Sequence, residues 1–417
     1  MTPRRGGPQA GAPDRLGSAV VVGTGLIGTS VALALSEQGV SVWLTDHDPA
    51  AARLAADIGA GQVLPEPLGA PEPAQAGPVS GTPPRRRPKE PPGRGAEKPH
   101  GPWADLAVLA VPPAAVAPSL AAAQARHLAR WYTDVASVKA LPLRQARELG
   151  CDLASFVPGH PLSGRERSGP AAARADLFLG RPWVICPGPQ NPPEAVEAVL
   201  ELVRCCQAEP VQAGADEHDL WVALVSHAPH VVAAAMAARL TDAPGGALGL
   251  AGQGLRDVTR IAGGDAGLWT QILAANAAPV ARILADVAAD LAAAAEALAE
   301  DGAPQAAGDG APQPAEYPAM KQLAGLLDAG SAGVARIPGK RGAPARDNAV
   351  VQVVIRDQPG ELARLFQVAG ESGVNIEDIG IEHSPGLPVG VAELTVRPDA
   401  VARLTRALAA AGWPVRR

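Results

Sequence analysis

Apolar residues run without a break through Ser18-Ala-Val-Val-Val22. A helical stretch then follows from the glycine-rich turn Gly23-Thr-Gly-Leu-Ile-Gly28 to about Gln38. A second apolar run, Val40-Ser-Val-Trp-Leu-Thr45, ends in Asp46, and a helix is expected from Pro49 to Ile58. Short apolar runs alternating with helical segments predict a parallel sheet buried on both faces. After a long interruption the pattern resumes with strands over Asp105–Val111, Trp131–Asp134 and Ser155–Val157, and Trp183–Cys186 is expected to close the sheet.

From about Pro193 to Asp328 the pattern becomes helical. Leu273, Val280, Leu284, Val287, Leu291 and Leu298 recur at threes and fours, which predicts one helix over Asp265–Glu300. A stripe of that length exceeds what a small domain buries along one side, so we expect it to form a homodimer interface. A short helix is expected over Met320–Asp328. Beyond Ala349 come a strand (Val350–Arg356), a helix (Pro359–Gly370), two strands (Val374–Glu382 and Val389–Val396), a helix (Asp399–Ala411) and a last strand near Val415, the order of a ferredoxin-like βαββαβ sandwich.

A chain of 417 residues is too long for one core. The predicted organisation is a disordered tail over 1–17, a doubly wound α/β Rossmann domain over 18–190, an all-α domain over 191–330, a linker over 331–347 and an α+β domain over 348–417. Residues 65–102 are rich in Pro and Gly and include Arg85-Arg-Arg87. A compact unit of this kind needs only a few residues there, so a disordered surface insertion is expected. Residues 301–316, of Gly, Ala, Pro and Gln, read as a further linker.

The glycine turn carries the first chemistry. Strand, turn, helix, strand and acid occur in the order of a dinucleotide-binding fingerprint. Gly23 permits the tight turn, Gly25 lets backbone approach a pyrophosphate, and Gly28 lets helix and strand pack closely. Asp46, 21 residues after Gly25, suits the adenosine ribose hydroxyls and would repel a 2′-phosphate, so NAD is favoured. Leu26, Ile27 and Val111 complete the expected cofactor site.

His160 lies among Pro158, Gly159, Pro161 and Gly164, a setting that reads as a fixed loop rather than regular structure. There it is expected to exchange a proton near the ordinary histidine pKa of about 6.5. Ser137 and Lys139 follow a strand's carboxyl end, where open α/β sheets bind ligands. His227 and His230 lie three residues apart on one helical face, and Arg256 and Arg260 lie four apart, a spacing that suits gripping a carboxylate.

Composition narrows the possible roles. A net charge of −6 argues against a nucleic-acid binder. The four cysteines show no CxxC spacing, so no metal site is expected and reduced thiols in a cytoplasm are the simpler account. The first residues lack a signal peptide's apolar run, and prolines interrupt the apolar stretch near Leu106–Ala123, so no membrane association is expected.

Taken in order, Gly23-x-Gly-Leu-Ile-Gly-x-Ser30, Thr133-Asp-Val-Ala-Ser-Val-Lys139, Gly159-His-Pro-Leu-Ser-Gly164 with Glu166 and Ser168-Gly169, His218-Asp219, Ser226-His-Ala-Pro-His230 and Arg256-Asp-Val-Thr-Arg-Ile-Ala262 resemble the motifs of prephenate dehydrogenases. The match spans about residues 18–300. Leu162-Ser163 and Leu255 stand where Met-Ala and Phe are expected, and the 65–102 insertion has no counterpart in a typical member. The last 70 residues resemble an ACT domain through Asp357-Gln-Pro-Gly-Glu-Leu362 and Val374-Asn-Ile376.

The resemblance implies NAD-dependent oxidative decarboxylation of prephenate on the route to tyrosine, or of its amino analogue arogenate. His160 would be the proton acceptor and Ser137 its partner at the substrate hydroxyl. Arg260 would anchor a carboxylate, with His227, His230, Lys139 and Arg256 closing the site. Tyrosine is the expected effector, held by Asp357, Pro359, Gly360, Asn375 and Ile376. A 3-hydroxyacid dehydrogenase would place a lysine on the helical domain where this chain has His227 and His230. The alternative of a non-catalytic NAD and amino-acid sensor is disfavoured by the presence of both His160 and Ser137.

Overall fold

The computed structural model describes residues 16–65, 103–163, 169–301, 318–337, 348–383 and 388–416. Outside the described residues lie nearly all of the expected tail and insertion, most of both linkers, and Gly164, Glu166 and Ser168 of the segment after His160.

The chain opens with β1 (Ser18–Val22), α1 (Leu26–Glu37), β2 (Ser41–Thr45), α2 (Pro49–Asp57), β3 (Gln62–Val63), β4 (Ala104–Leu109), α3 (Pro113–Ala125) and β5 (Ala129–Asp134). These strands form a parallel sheet in the order β3-β2-β1-β4-β5. The continuous apolar runs follow from burial on both faces. Val21 and Val108 pack on the side of Val31 and Leu35 of α1, whereas Val20 and Ala107 pack on the side of Val116 and Leu120 of α3.

Next come α4 (Ala140–Glu148), β6 (Gly159–Pro161), β7 (Pro182–Ile185), α5 (Pro193–Cys205) and β8 (Glu209–Gln212). Two expectations are corrected here. Residues 182–185 do not close the large sheet; they are the middle strand of a second sheet, β6-β7-β8, in which β6 runs antiparallel. The expected strand over Ser155–Val157 is a single bridge between Phe156 and Tyr132. Helix α5 buries Ala195, Val199, Leu202 and Val203 in the same core as Val21, so the Rossmann layer continues past residue 190.

The helical region comprises α6 (Ala215–Val222), a π turn (Ala223–His227), α7 (Ala228–Ala238), α8 (Gly245–Leu248), α9 (Gln253–Thr259), α10 (Ala266–Ala275), α11 (Ala277–Asp301) and α12 (Pro318–Ala335). The single helix expected over Asp265–Glu300 is interrupted at the buried Asn276, whose backbone leaves helical geometry (φ −120°, ψ 31°). Helix α12 is longer than the short one predicted and takes in the start of the expected linker. The run Ala215–Ala238 is long and apolar enough to cross a membrane (mean hydropathy 1.5). Yet it carries His218, Asp219 and His227 buried among polar partners, which marks it as a site helix rather than a lipid-facing one.

The chain ends with β9 (Ala349–Arg356), α13 (Glu361–Glu371), β10 (Ile376–His383), β11 (Val389–Val396), α14 (Val401–Ala410) and β12 (Val415–Arg416). They form an antiparallel sheet in the order β10-β11-β9-β12. Alternation along β9 and β11 puts Val351, Val353, Ala392 and Leu394 inward against Leu365, Leu404 and Leu408 of the helices.

By compactness the chain divides into two units, Met1–Pro229 with Gly264–Arg282, and His230–Gly263 with Ile283–Arg417. His160, Ser137, Lys139, His218 and His227 fall in the first; His230, Arg256, Arg260 and the C-terminal sheet fall in the second.

Candidate active site

The glycine turn is built as its spacing predicts. Gly23 has φ +96°, and a Cβ there would lie 2.2 Å from the Ala110 carbonyl oxygen and 3.2 Å from Val111. A Cβ on Gly28 would lie 1.9 Å from the Gly23 oxygen, so neither position admits a side chain. Gly25, by contrast, has nothing within 4 Å of a Cβ and caps α1 without a side-chain acceptor. The turn is therefore tight where it meets its own fold and open at the helix N-terminus, whose uncapped N–H groups suit an anion. Leu26 and Ile27 are half-buried against the sheet. Asp46 accepts hydrogen bonds from the Thr24 N–H and hydroxyl (2.5 and 2.9 Å), which ties the acid at the end of β2 to the turn.

His160 occupies β6, the edge strand of the small sheet, where it pairs with Val184. The expectation of a loop histidine fails for a physical reason. An edge strand tolerates proline, because its outer side needs no N–H donor. Pro158 instead offers its carbonyl to the Cys186 N–H at 2.8 Å. The imidazole is only 8% exposed. Burial holds its pKa well below the ordinary value, and the neighbouring His218, Lys139 and His227 push the same way. The expected titration near about 6.5 is corrected accordingly: His160 is neutral across the physiological range.

Its partner is not Ser137. His160 Nδ1 meets His218 Nε2 at 2.8 Å, and His218 Nδ1 meets Asp219 Oδ1 at 2.8 Å. The Asp219 carboxylate also accepts the backbone N–H groups of Lys139 (2.8 Å) and Ala140 (2.9 Å), the first amides of α4. Asn276 donates to the Asp219 carbonyl at 2.7 Å and meets His227 Nδ1 at 3.1 Å. This explains why the long helix breaks there: its amide is needed by the site. Among the described residues, His160 Nε2 has no partner.

Lys139, expected at the substrate, points inward. Its fully buried ammonium pairs with Asp134 at the end of β5 and donates to the Gly159 carbonyl at 2.5 Å. Asp134 in turn accepts from the Gly159 N–H at 3.2 Å. The strut fixes Gly159, the residue next to His160, and the ammonium is spent on Asp134 and the Gly159 carbonyl. Ser137 is half-buried in the turn between β5 and α4, beside this strut.

These groups share one edge of the parallel sheet. The Ala110 N–H bonds to the Val22 oxygen, and Leu109 is level with Asp134. The segment that leads into His160 pairs with β5 on the side away from β4, so the glycine turn after β1 and this segment lie three strand spacings apart, roughly 14 Å. In open α/β sheets of this kind the carboxyl ends of the strands are where a ligand would be held.

In the second unit, His230 is 8% exposed; burial lowers its pKa while a hydrogen bond with the Ile261 backbone opposes that shift. Its ring therefore faces the turn Arg260–Ala262, and Arg260 and Arg256 are both exposed. At the C-terminal sheet, Gly360 has φ +87° with open space beside it, and Asp357 and Pro359 are exposed. Asn375 Nδ2 donates to Glu377 Oε1 at 2.8 Å, and Ile376 opens β10.

Residues 102–212 match the family model of the prephenate dehydrogenase nucleotide-binding domain, and residues 214–307 match that of the prephenate dehydrogenase dimerization domain. The probable prephenate dehydrogenase NovF of Streptomyces niveus is 39% identical over 401 residues, covering 95% of this chain and 99% of that protein. The chain belongs to the prephenate dehydrogenase family. It is accordingly placed among NAD-dependent oxidoreductases. Its fold is also that of prephenate dehydrogenase from A. aeolicus in complex with hydroxyphenyl propionate and NAD+ (TM-score 0.57, 18% identity, 76% of this chain and 98% of that one). Synechocystis arogenate dehydrogenase is comparable (TM-score 0.54, 21% identity, 76% and 99%).

His218 and Asp219 stand among the motifs of the chain with no expected role of their own. A signal was present: an adjacent His and Asp in an otherwise apolar helix must find polar partners if buried. Their identity was hidden because His160 lies 58 residues away.

Proposed function

We propose that this chain oxidises the ring hydroxyl carbon of prephenate, with loss of the ring carboxylate as CO₂, to give 4-hydroxyphenylpyruvate. The observation that carries the reading is His160, neutral and buried, with Nδ1 engaged and Nε2 left for a substrate. The residues fit NAD: Gly25 leaves open space at the α1 N-terminus, and Asp46 is an acceptor at the end of β2. When bound, NAD⁺ supplies the hydride acceptor. His160 Nε2 takes the hydroxyl proton, and Ser137 orients the same hydroxyl. Arg260 is an exposed cation suited to hold a carboxylate, with His230 and Arg256 on neighbouring turns and His227 tied to the His160 cluster through Asn276. A cation clamped on the departing carboxylate would oppose loss of CO₂, so its contribution is positioning.

Arg260→Ala is expected to raise KM about 10-fold or more with little loss of kcat, and His160→Ala to lower kcat by about 100-fold or more with NAD⁺ binding intact. An unchanged kcat in the His160 variant rules out the base. Arogenate differs from prephenate only at the side chain. The near full-length similarity to a probable prephenate dehydrogenase favours the keto acid. NADH formation compared with the two substrates decides it.

We further propose that the chain is a homodimer through its helical region, where Leu291 (60% exposed) and Leu298 (53%) of α11 present apolar surface. The C-terminal unit is read as an ACT domain that binds tyrosine near Asp357–Gly360 and Asn375. Its strand order, with β9 between β11 and β12, supports that reading.

A further inference from the structure

We propose that His218 and Asp219 are a positioning pair for the base: they hold His160 as the Nδ1–H tautomer, so that Nε2 is the unprotonated nitrogen that meets the substrate hydroxyl. The inference rests on the reading of His160 as base.

The polarity of the chain of hydrogen bonds is set at its far end, where the donors are unambiguous. Both Asp219 oxygens accept backbone N–H groups, Oδ1 from Lys139 at 2.8 Å and Oδ2 from Ala140 at 2.9 Å. An amide N–H only donates, so this group is a carboxylate that only accepts. His218 Nδ1, 2.8 Å from the same Oδ1, therefore carries a proton. We take His218 to carry a single ring proton; with that proton on Nδ1, its lone pair lies on Nε2, which faces His160 Nδ1 at 2.8 Å. His160 must then donate from Nδ1, and its lone pair is left on Nε2. Two imidazoles in a row transmit to His160 an orientation that the amides of α4 impose on Asp219.

Both rings are edge to face with centroids 5.1 Å apart, and both are buried, so neither is free to flip without breaking a hydrogen bond. The Asp219 backbone is pinned as well, since Asn276 donates to its carbonyl at 2.7 Å. The same carboxylate caps α4, whose cap residue Lys139 supplies no side-chain acceptor of its own. One residue thus fixes the tautomer of the base and the start of the helix that follows Ser137.

In the reaction the substrate O–H breaks and a His160 Nε2–H bond forms, while the C–H electron pair departs as hydride to NAD⁺. His160 becomes a cation in a buried site. Its Nδ1–H then points along a line that ends on the Asp219 carboxylate, which stabilises the new charge without itself taking a proton.

The test uses the full chain labelled with [¹⁵N]histidine, with signals assigned through His160→Gln. In the unsubstituted protein at neutral pH, His160 and His218 are both expected as Nδ1–H tautomers. In Asp219→Asn an amide nitrogen replaces one carboxylate oxygen, the anion that orients His218 is lost, and His160 is expected to lose its uniform Nδ1–H signal. kcat is then expected to fall about 10³-fold or more, with KM and NAD⁺ affinity within about threefold. Because Asp219 also caps α4, His218→Phe serves as a second variant that leaves the cap in place; it is expected to lower kcat about 100-fold and to give His160 a mixed tautomer signal. An Nε2–H signal for His160 in the unsubstituted protein, or a kcat within about threefold of it in His218→Phe, overturns the positioning pair. Failure of the base reading itself shows separately, as retained kcat in His160→Gln.

Discussion

His160 is kept neutral by the absence of water and by the company of Lys139, His218 and His227, and this decides how activity depends on pH. If His160 is the base, as proposed, it must be unprotonated before the substrate arrives. With its pKa held well below the ordinary value, His160 stays competent into mildly acidic solution. The acid limb of kcat/KM is therefore expected to have its midpoint below about pH 6.5, and NADH formation measured from about pH 5 to 8 checks it. Stability follows the same sign. Below about pH 6.5 the unfolded chain takes up a proton that the folded site refuses, so the first unit loses stability as pH falls from there towards the folded pKa. The charged groups facing the ring, Asp219 through His218 and Asp134 through Lys139, are tied into hydrogen bonds on the far side. A midpoint above 6.5 would mean that the imidazole is wetter than its surroundings imply. At this scale the cofactor turn was legible in the sequence, because Gly23 and Gly28 answer to short-range clashes. The environment of His160 was not, because every group that perturbs it comes from elsewhere in the chain.

At the scale of elements, the strut beneath β6 is a fully buried ion pair. Lys139 is buried with one carboxylate and one carbonyl for partners; Asp134 accepts the Ala136 N–H on the oxygen that meets Lys139 and the Gly159 N–H on the other. Removing one member of such a pair leaves an uncompensated buried charge, at a cost of about 3–5 kcal/mol. Lys139→Met is thus expected to lower the melting temperature of the first unit by about 10 °C, and Lys139→Met combined with Asp134→Leu to recover part of it. A melting curve for Lys139→Met superimposable on the parent's would show that the pair is not a strut. Strands β1, β2, β4 and β5 were readable because burial on both faces demands unbroken apolar runs. The edge strand β6 was not, since its prolines read as loop until a neighbour supplies donors on one side only. The break at Asn276 was hidden for a related reason: helical periodicity continues through it, and only Asp219 and His227 reveal why the helix stops.

At the scale of the whole molecule, the C-terminal unit draws its core from its own residues, Val351 through Val415, and closes its own four-stranded sheet. Its elements were legible to within two residues because both strand alternation and helix periodicity are local. The expected effector residues were less so. Asn375, expected to bind an effector, is engaged by Glu377, and Glu361 at the start of α13 is turned inward, accepting Trp413 Nε1 at 2.7 Å, a bond that lowers its pKa. Tyrosine would thus have to take Asn375 from Glu377, or use the exposed turn Asp357–Gly360 and the amides beyond it. These alternatives separate in one comparison. If the unit is the effector site, deletion of residues 346–417 abolishes inhibition by tyrosine and leaves kcat within about threefold, because none of the His160 cluster lies in the deleted segment. Asn375→Ala would then weaken inhibition at least about 10-fold, provided the amide is released to the ligand. Inhibition that survives the deletion places tyrosine at the active site, as a competitor that resembles the product. In that case raising the prephenate concentration relieves it, a dependence that a separate effector site need not show.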